Sequence, residues 1–492
     1  MTAQLPVLQV LIPLLGAPLC VLLRSRTAAW LLYLTAATAS LTVAALLTAE
    51  VADEGPLTYR MGGWSAPAGI EFVVGEFSTP VLLLVSLTAT VAAVYGRGGV
   101  EAEVDERHAP LLYACLCLTL AGLLGLAVTG DVFNAFVFLE ISSLATYTMI
   151  AMGRRRRALL AAFRYLVIGS VGAVFVLIGI GMAYAVTGTL NMADLAARLD
   201  GADGDRAVRA AVVFVFVGLA VKAALFPLHA WLPAAYGEAP TVVSLFLAAT
   251  STKVALYVLC RFAYTVFGAP LVFESMPVGR IGLLLACLAM LVGSAVACLQ
   301  SDLRYLLAWS SVGQIGYIVA GISLATTAGV SAAYLHIIAH AISKAALFAT
   351  AGLLLARLGS ARLSGLAGIG RRMPWTFAAF VLAALGLIGV PPSGGFVSKW
   401  ALVTALVDDG RWAVVAAVLT SSLLAVVYVG RVVEIAWFRE PGNDAPPAPP
   451  APSTVTAVWA LALLSLAVGL APSFPAELAD AAAAALLGTG GG

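Results

Sequence analysis

The stretch VGLAVKAALFPLHAWLP, residues 217–233, decides how the chain reads. It is apolar enough to lie in a bilayer, yet it carries Lys222, His229 and two prolines, Pro227 and Pro233. A charge at mid-bilayer costs on the order of 2.5–3.5 kcal/mol on insertion scales. A proline opens the backbone of a membrane helix, and the freed carbonyls need partners or water. Broken helices of this kind, facing a wet cavity, are where transporters bind ions. The stretch therefore predicts a membrane helix interrupted beside an ionisable group.

The surrounding chain agrees. Of 492 residues, 62% are hydrophobic and 11% charged, against roughly a quarter charged in a soluble protein. At about 20 apolar residues per span, this excludes a soluble enzyme, a disordered chain and a secreted disulfide scaffold. Apolar runs of helical length lie near 5–24, 27–48, 77–96, 110–129, 131–152, 162–187, 208–226, 240–265, 280–299, 304–325, 329–356, 374–406, 411–438 and 453–471. The expected fold is an all-α polytopic membrane protein of about 14 transmembrane helices. The 374–406 run is too long for one straight crossing and contains PPSGGF (391–396), so a break is expected there. It lies about 165 residues after the break at Pro227, a spacing that points to two five-helix repeats.

Charge in the short loops sets orientation. With the N-terminus outside, 16 arginines fall inside and 7, including Arg261, outside. Both termini are therefore expected outside a cell membrane. Residues 49–76 read as an outer hairpin, 441–452 as an inner Pro-rich linker, and 473–492 as an interfacial helix with a glycine end. The first apolar run is too long for a cleavable signal peptide and lacks its basic front. Asp131, Asp302 and Arg304 read as interface residues capping helix ends. The run Arg154–Arg157 reads as a topology anchor, with partner or lipid docking as the alternative. All six cysteines fall within spans and their spacing fits neither zinc nor haem, so they read as small packing residues.

The basic residues divide by type. Twenty-three are Arg and four are Lys, and all four lysines (Lys222, Lys253, Lys344 and Lys399) lie within apolar runs. A proton relay needs groups that load and release; Lys, Glu and His do this, and Arg does not. A GC-rich genome accounts for scarce Lys but not for where the survivors sit. Glu140, in FNAFVFLEISSLATY (133–147), is expected near mid-membrane. An opposite pair with Lys222 at ~4 Å would be worth about 4 kcal/mol at an effective dielectric near 20, enough for a switch; a static ion pair is the alternative. His336, His340 and Lys344, in HIIAHAISKAALF (336–348), are spaced i, i+4, i+8 and stack along one helical face. This row reads as a proton path, with structural hydrogen bonding as the alternative. Metal binding is disfavoured by the neighbouring Lys and by the lack of a nearby Cys or carboxylate. His229 is a relay group or a helix-end hydrogen bond. Lys253 is a second station, and Lys399 repeats the placement of Lys222 beside a break.

These motifs resemble a known family. FLEISSLATY (138–147), VKAALFPLHAWLP (221–233) followed by AYGEAPTVVS (235–244), the HIIAHAISKAALF helix and PPSGGFVSKW (391–400) are similar to the antiporter-like subunits shared by Mrp-type cation/proton antiporters and respiratory complex I. TGTLNMADLA (187–196) is most similar to the D type of Mrp subunit. The resemblance implies two inverted five-helix repeats, at 110–265 and 280–438, with broken seventh and twelfth helices. These would be flanked by 1–109 and 453–492. It implies transfer through Glu140 and Lys222, then Lys253, His336, His340 and Lys344, to an exit at Lys399. Gln314 falls where a second-half counterpart of Glu140 is expected. The long lateral helix of the largest complex I paralogue and the extra C-terminal spans of the largest Mrp subunit have no counterpart here. The implied function is the proton-translocating subunit of a multisubunit Na+/K+–proton antiporter, working with other membrane subunits. The alternative is a pumping subunit of an NADH-quinone oxidoreductase or membrane-bound hydrogenase. A self-sufficient carrier is a third reading. No Rossmann fingerprint or cluster-type cysteine spacing is present, so no cofactor is expected and any redox chemistry would belong to partners. The chain is not expected to be an enzyme by itself.

Overall fold

The structure, a computed structural model, describes residues 4–101, 103–201, 205–440 and 450–488. The chain begins with α1 (Leu5–Leu23), α2 (Arg26–Glu54), α3 (Thr79–Gly99), α4 (Ala109–Val128), α5 (Val132–Ala151) and α6 (Arg156–Thr187). Then come α7 (Met192–Leu199), α8 (Arg206–Lys222), α9 (Leu232–Glu238), α10 (Thr241–Ala249), α11 (Ser251–Arg261), α12 (Val278–Leu299) and α13 (Leu303–Ser323). The last group is α14 (Thr327–Leu358), α15 (Ile369–Arg372), α16 (Pro374–Ile388), α17 (Gly394–Asp408), α18 (Trp412–Phe438), α19 (Pro452–Leu470) and α20 (Ser473–Leu487).

Twelve helical segments among the described residues are long and apolar enough to cross a membrane, with α10 and α11 counted as one. The other two expected spans are broken. The 208–226 run ends its helix at Lys222, resumes only at Leu232, and has Ala224 at φ 54° between. The 374–406 run splits into α16 and α17, each 15 residues long. A count of fourteen crossings thus requires each broken pair to act as one. The run at 240–265 reads as continuous in sequence but is interrupted at Thr250, which lies at φ −119° and ψ −57° between α10 and α11.

Helix starts follow from side-chain caps. Asp131 accepts from Asn134 N at 2.7 Å and Asp302 from Arg304 N at 2.9 Å, as expected for these two aspartates. Ser393 accepts from Phe396 N and so restarts the chain as α17 after the PP break. The 49–76 segment contains the expected hairpin: β1 (Leu57–Arg60) pairs antiparallel with β2 (Glu71–Val74). It is pinned to the loop after α4, where Gly130 N donates to Glu71 O at 2.9 Å, and to Asn191, whose Nδ2 donates to Glu71 Oε1 at 2.7 Å. The tail is the expected helix, α20. Its glycine end and most of the Pro-rich linker lie outside the described residues.

One pattern recurs at a fixed offset. Val132 N donates to Leu190 O and Met192 N to Gly130 O; likewise Leu303 N donates to Ala361 O and Leu363 N to Ser301 O. Each second-set residue lies 171 positions after its counterpart, as do the capping pair Asp131 and Asp302. α6 and α14 are each 32 residues long, and end on Gly188 and Gly359, both at φ 69°. Only glycine takes that left-handed conformation without strain.

The core centres on α14, whose most apolar stretch is 94% buried. The two broken-helix pieces approach α14 and each other closely. A Cβ on Gly395 of α17 would overlap the carbonyl of Gly386 on α16. Gly395→Val is therefore expected to cost about 1–3 kcal/mol through overpacking, read as a lower melting temperature of the detergent-solubilised chain. An unchanged melt would show that the break tolerates spreading.

Candidate functional site

The site begins with an ion pair. Glu140 on α5 and Lys222, the last residue of α8, meet with Nζ 3.1 Å from Oε1. Lys222 Nζ also donates to Ser143 Oγ at 2.9 Å and to the Tyr147 hydroxyl at 3.4 Å. Ser143 and Tyr147 follow Glu140 by three and seven residues, so one face of α5 supplies every acceptor. That spacing is visible in the sequence, although only Glu140 stands out there as a charge. Lys222 is buried, whereas Glu140 is 24% exposed, so the carboxylate is the side of the pair that reaches the surface. The break after Lys222 is closed by Trp231, whose Nε1 donates to Val221 O at 2.9 Å while its ring stacks on Tyr165.

A cavity of about 20 Å³ lies between Lys222 and Ser251 at the start of α11. That is room for about one water molecule. Two residues further on, Lys253 donates to Ala248 O, a carbonyl released by the interruption at Thr250. Lys253 lies within electrostatic reach of His336, His340 and Lys344.

The α14 row is buried and unevenly partnered. His336 Nε2 lies 3.0 Å from Gln314 Oε1, and its Nδ1 lies 2.9 Å from Ser398 Oγ. Its ring parallels that of His340 at 5.8 Å and 11°. Neither ring nitrogen of His340 has a hydrogen-bond partner among the described residues. Lys344 donates to Leu307 O at 2.8 Å and to Ser310 Oγ. Gln314 does meet this row, but at the 171-residue offset it corresponds to Ser143, and Glu140 corresponds to Ser311. The expected equivalence of Gln314 with Glu140 is thus displaced by one helical turn.

Lys399 on α17 closes the second break. Its Nζ donates to Leu387 O at 3.0 Å, Ile388 O at 2.9 Å and Ser422 Oγ at 3.1 Å, and lies 4.6 Å from the Tyr317 ring centre. Leu387 and Ile388 end α16, where carbonyls lack helical partners. Gln314 Nε2 also donates to Leu387 O at 3.4 Å, which links Lys399 to His336 through one amide. His229 stands apart: its ring lies between Phe226 and Trp309, and its buried Nδ1 has no partner among the described residues.

Arg261, which reads as an outer loop charge, and Arg304, which reads as a residue capping a helix end, are both buried. Arg261 donates to Thr129 O at 2.6 Å and lies over Phe77. Arg304 donates to Tyr236 O at 3.1 Å and to Ala239 O and Ser244 Oγ, so it serves the C-terminal end of α9. The other side of the same junction uses Glu103, which accepts from Thr241 N at 2.9 Å at the start of α10. Burial pushes the Glu103 carboxyl above its ordinary range, against the opposing pull of Arg304. The six cysteines are free and lie in α1, α4, α11 and α12. No group of three His, Cys, Asp or Glu side chains suited to a metal occurs among the described residues.

Buried ionisable groups at helix breaks in an all-helical membrane protein define an ion-translocating class. Residues 129–425 match the family described as "NADH:quinone oxidoreductase/Mrp antiporter, TM", and the chain belongs to that family. It is 43% identical over 451 residues to the N subunit of the NADH-quinone oxidoreductase of Desulforudis audaxviator, covering 90% of this chain and 89% of that protein. It is 30% identical over 483 residues to the D-type subunit of the Na(+)/H(+) antiporter of Bacillus subtilis, covering 98% and 97%. Among solved structures, a chain of the Mrp complex from Dietzia superposes with a TM-score of 0.91 at 27% identity, covering 99% of this chain and 98% of that one. A chain of Thermus thermophilus respiratory complex I gives 0.76 at 26% identity, covering 98% and 100%.

Replacing Lys399 by Met would orphan the Ile388 carbonyl and leave Leu387 O only its 3.4 Å bond from Gln314. The expected cost is about 1–3 kcal/mol, measured as a lower melting temperature in detergent. A wild-type melt would mean that other donors satisfy the end of α16.

Proposed function

We propose that this chain is the proton-translocating membrane subunit of a multisubunit monovalent cation/proton antiporter. The carrying observation is the Glu140–Lys222 pair at 3.1 Å beside a helix break. Protons would pass from this pair by Lys253 to His336, His340 and Lys344, and leave at Lys399, with His229 as an accessory group. One proton moving down 100 mV supplies about 2.3 kcal/mol, which the complex would spend on expelling sodium or potassium. The partners would be other membrane subunits, and the location a cell membrane with both termini outside. The recurrent hydrogen bonds 171 residues apart support reading 110–265 and 280–438 as inverted repeats, because five crossings would reverse the second copy.

A second reading is the same relay driven by electron transfer in a partner, as in an NADH-quinone oxidoreductase or a membrane-bound hydrogenase. The 43% identity to an N subunit of such an oxidoreductase favours it. Co-purification separates the two: small membrane subunits alone support the antiporter, whereas iron–sulfur and flavin subunits support the redox complex.

In inverted vesicles carrying the whole complex, Glu140→Ala or Lys222→Ala should lower ion-driven proton flux by at least about tenfold, the loss of a ~4 kcal/mol pair being more than sufficient. Membrane abundance should hold. Normal fluorescence dequenching at normal abundance would sink the relay. Lys399→Arg should also block flux, since a guanidinium does not release its proton. An active arginine variant would make Lys399 a fixed charge only.

A further inference from the structure

A crevice of about 620 Å³ opens where termini of α1, α2, α3 and α4 come together, and none of the four lysines lines it. Four of its lining residues are arginines: Arg24, Arg26, Arg97 and Arg107. They come from the α1–α2 turn, the last turn of α3 and the segment before α4. Two lining acids, Glu101 and Glu106, leave the crevice with a formal excess of positive charge. Arg26 is taken up by Glu101 at 2.6 Å. Arg24 and Arg107 enter no salt bridge among the described residues. Arg97 lies 5.2 Å over the ring of Trp30, and Trp30 is fixed by its own Nε1 bond to Ala93 O.

The surroundings say what kind of anion fits. The crevice sits at the ends of membrane-crossing helices, at the depth where headgroups lie and where an indole is favoured. From it an apolar track runs along α1. Leu15, Leu19, Leu22 and Leu23 are all exposed and spaced i, i+4, i+7, i+8, so they share one face. A ligand matching both parts carries a phosphate for the guanidinium forks and hydrocarbon chains for the leucine face.

We propose that this crevice binds the headgroup of an anionic phospholipid whose acyl chains lie along the exposed face of α1. Basic pockets between membrane helices bind such headgroups elsewhere. The site would tie the first four helices to the leaflet at that end, independently of proton transfer.

Native mass spectrometry of the purified full-length chain tests this. The titrants are phosphatidylglycerol, phosphatidylcholine and inorganic phosphate. The chain should retain phosphatidylglycerol and not phosphatidylcholine, and inorganic phosphate should not displace it. The R24Q/R97Q/R107Q variant should bind phosphatidylglycerol on the order of a hundredfold more weakly, at about fivefold per arginine. R24K/R97K/R107K should recover most of the binding, and R280Q, at a distant helix start, should match wild type. If the triple glutamine variant fails to fold, R107Q alone should show about fivefold weaker binding. Three results would overturn the proposal: equal retention of phosphatidylcholine, displacement by inorganic phosphate, or wild-type binding by the glutamine variants.

Discussion

Inside a bilayer there is no solvent to hydrogen-bond a stray carbonyl or ammonium, and the structure is arranged around that shortage. Each interruption of a membrane helix frees carbonyls, and each buried lysine brings donors that need acceptors. Two of the four lysines answer the two needs together. Lys344 takes Leu307 O from within the unbroken α13, whereas Lys399 takes the carbonyls that end α16 and Lys253 takes Ala248 O beside the Thr250 interruption. Arg304 does the same for the end of α9. Lys222 differs, since its main partner is a carboxylate. Lys222 therefore holds a compensated charge, while the other three lysines sit among neutral dipoles.

That arrangement explains what the sequence displays and what it hides. Apolar runs are legible because the bilayer imposes their length, and the PPSGGF break is legible because proline and glycine announce it. The interruption at Thr250 contains neither, so ATSTKVALYVL reads as unbroken helix. The Glu140–Lys222 pair follows from two improbable charges. Their ancillary acceptors Ser143 and Tyr147 are readable from helical spacing. Gln314 is conspicuous in the sequence, but its role is fixed by tertiary packing against His336 and Leu387. Arg261 reads as a loop charge because sequence alone does not tell an arginine facing water from one folded back onto helix-end carbonyls.

The two halves share a backbone plan but divide the chemistry. At the 171-residue offset Tyr165 corresponds to His336, Gly169 to His340 and Ala173 to Lys344. The first half thus has an aromatic and two small residues where the second half places its imidazole and ammonium row. Conversely, Glu140 has only Ser311 opposite it. The helix-end hydrogen bonds thus recur at this offset while the interior side chains do not.

His340 carries a consequence of its own. Its neighbours are anchored: His336 by Gln314 and Ser398, Lys344 by Leu307 and Ser310. His340 itself has no hydrogen bond through its ring among the described residues. Turning this ring breaks no hydrogen bond among the described residues, whereas turning His336 or withdrawing Lys344 does. The row thus holds one side chain oriented by packing against the His336 ring, between two oriented by polar partners.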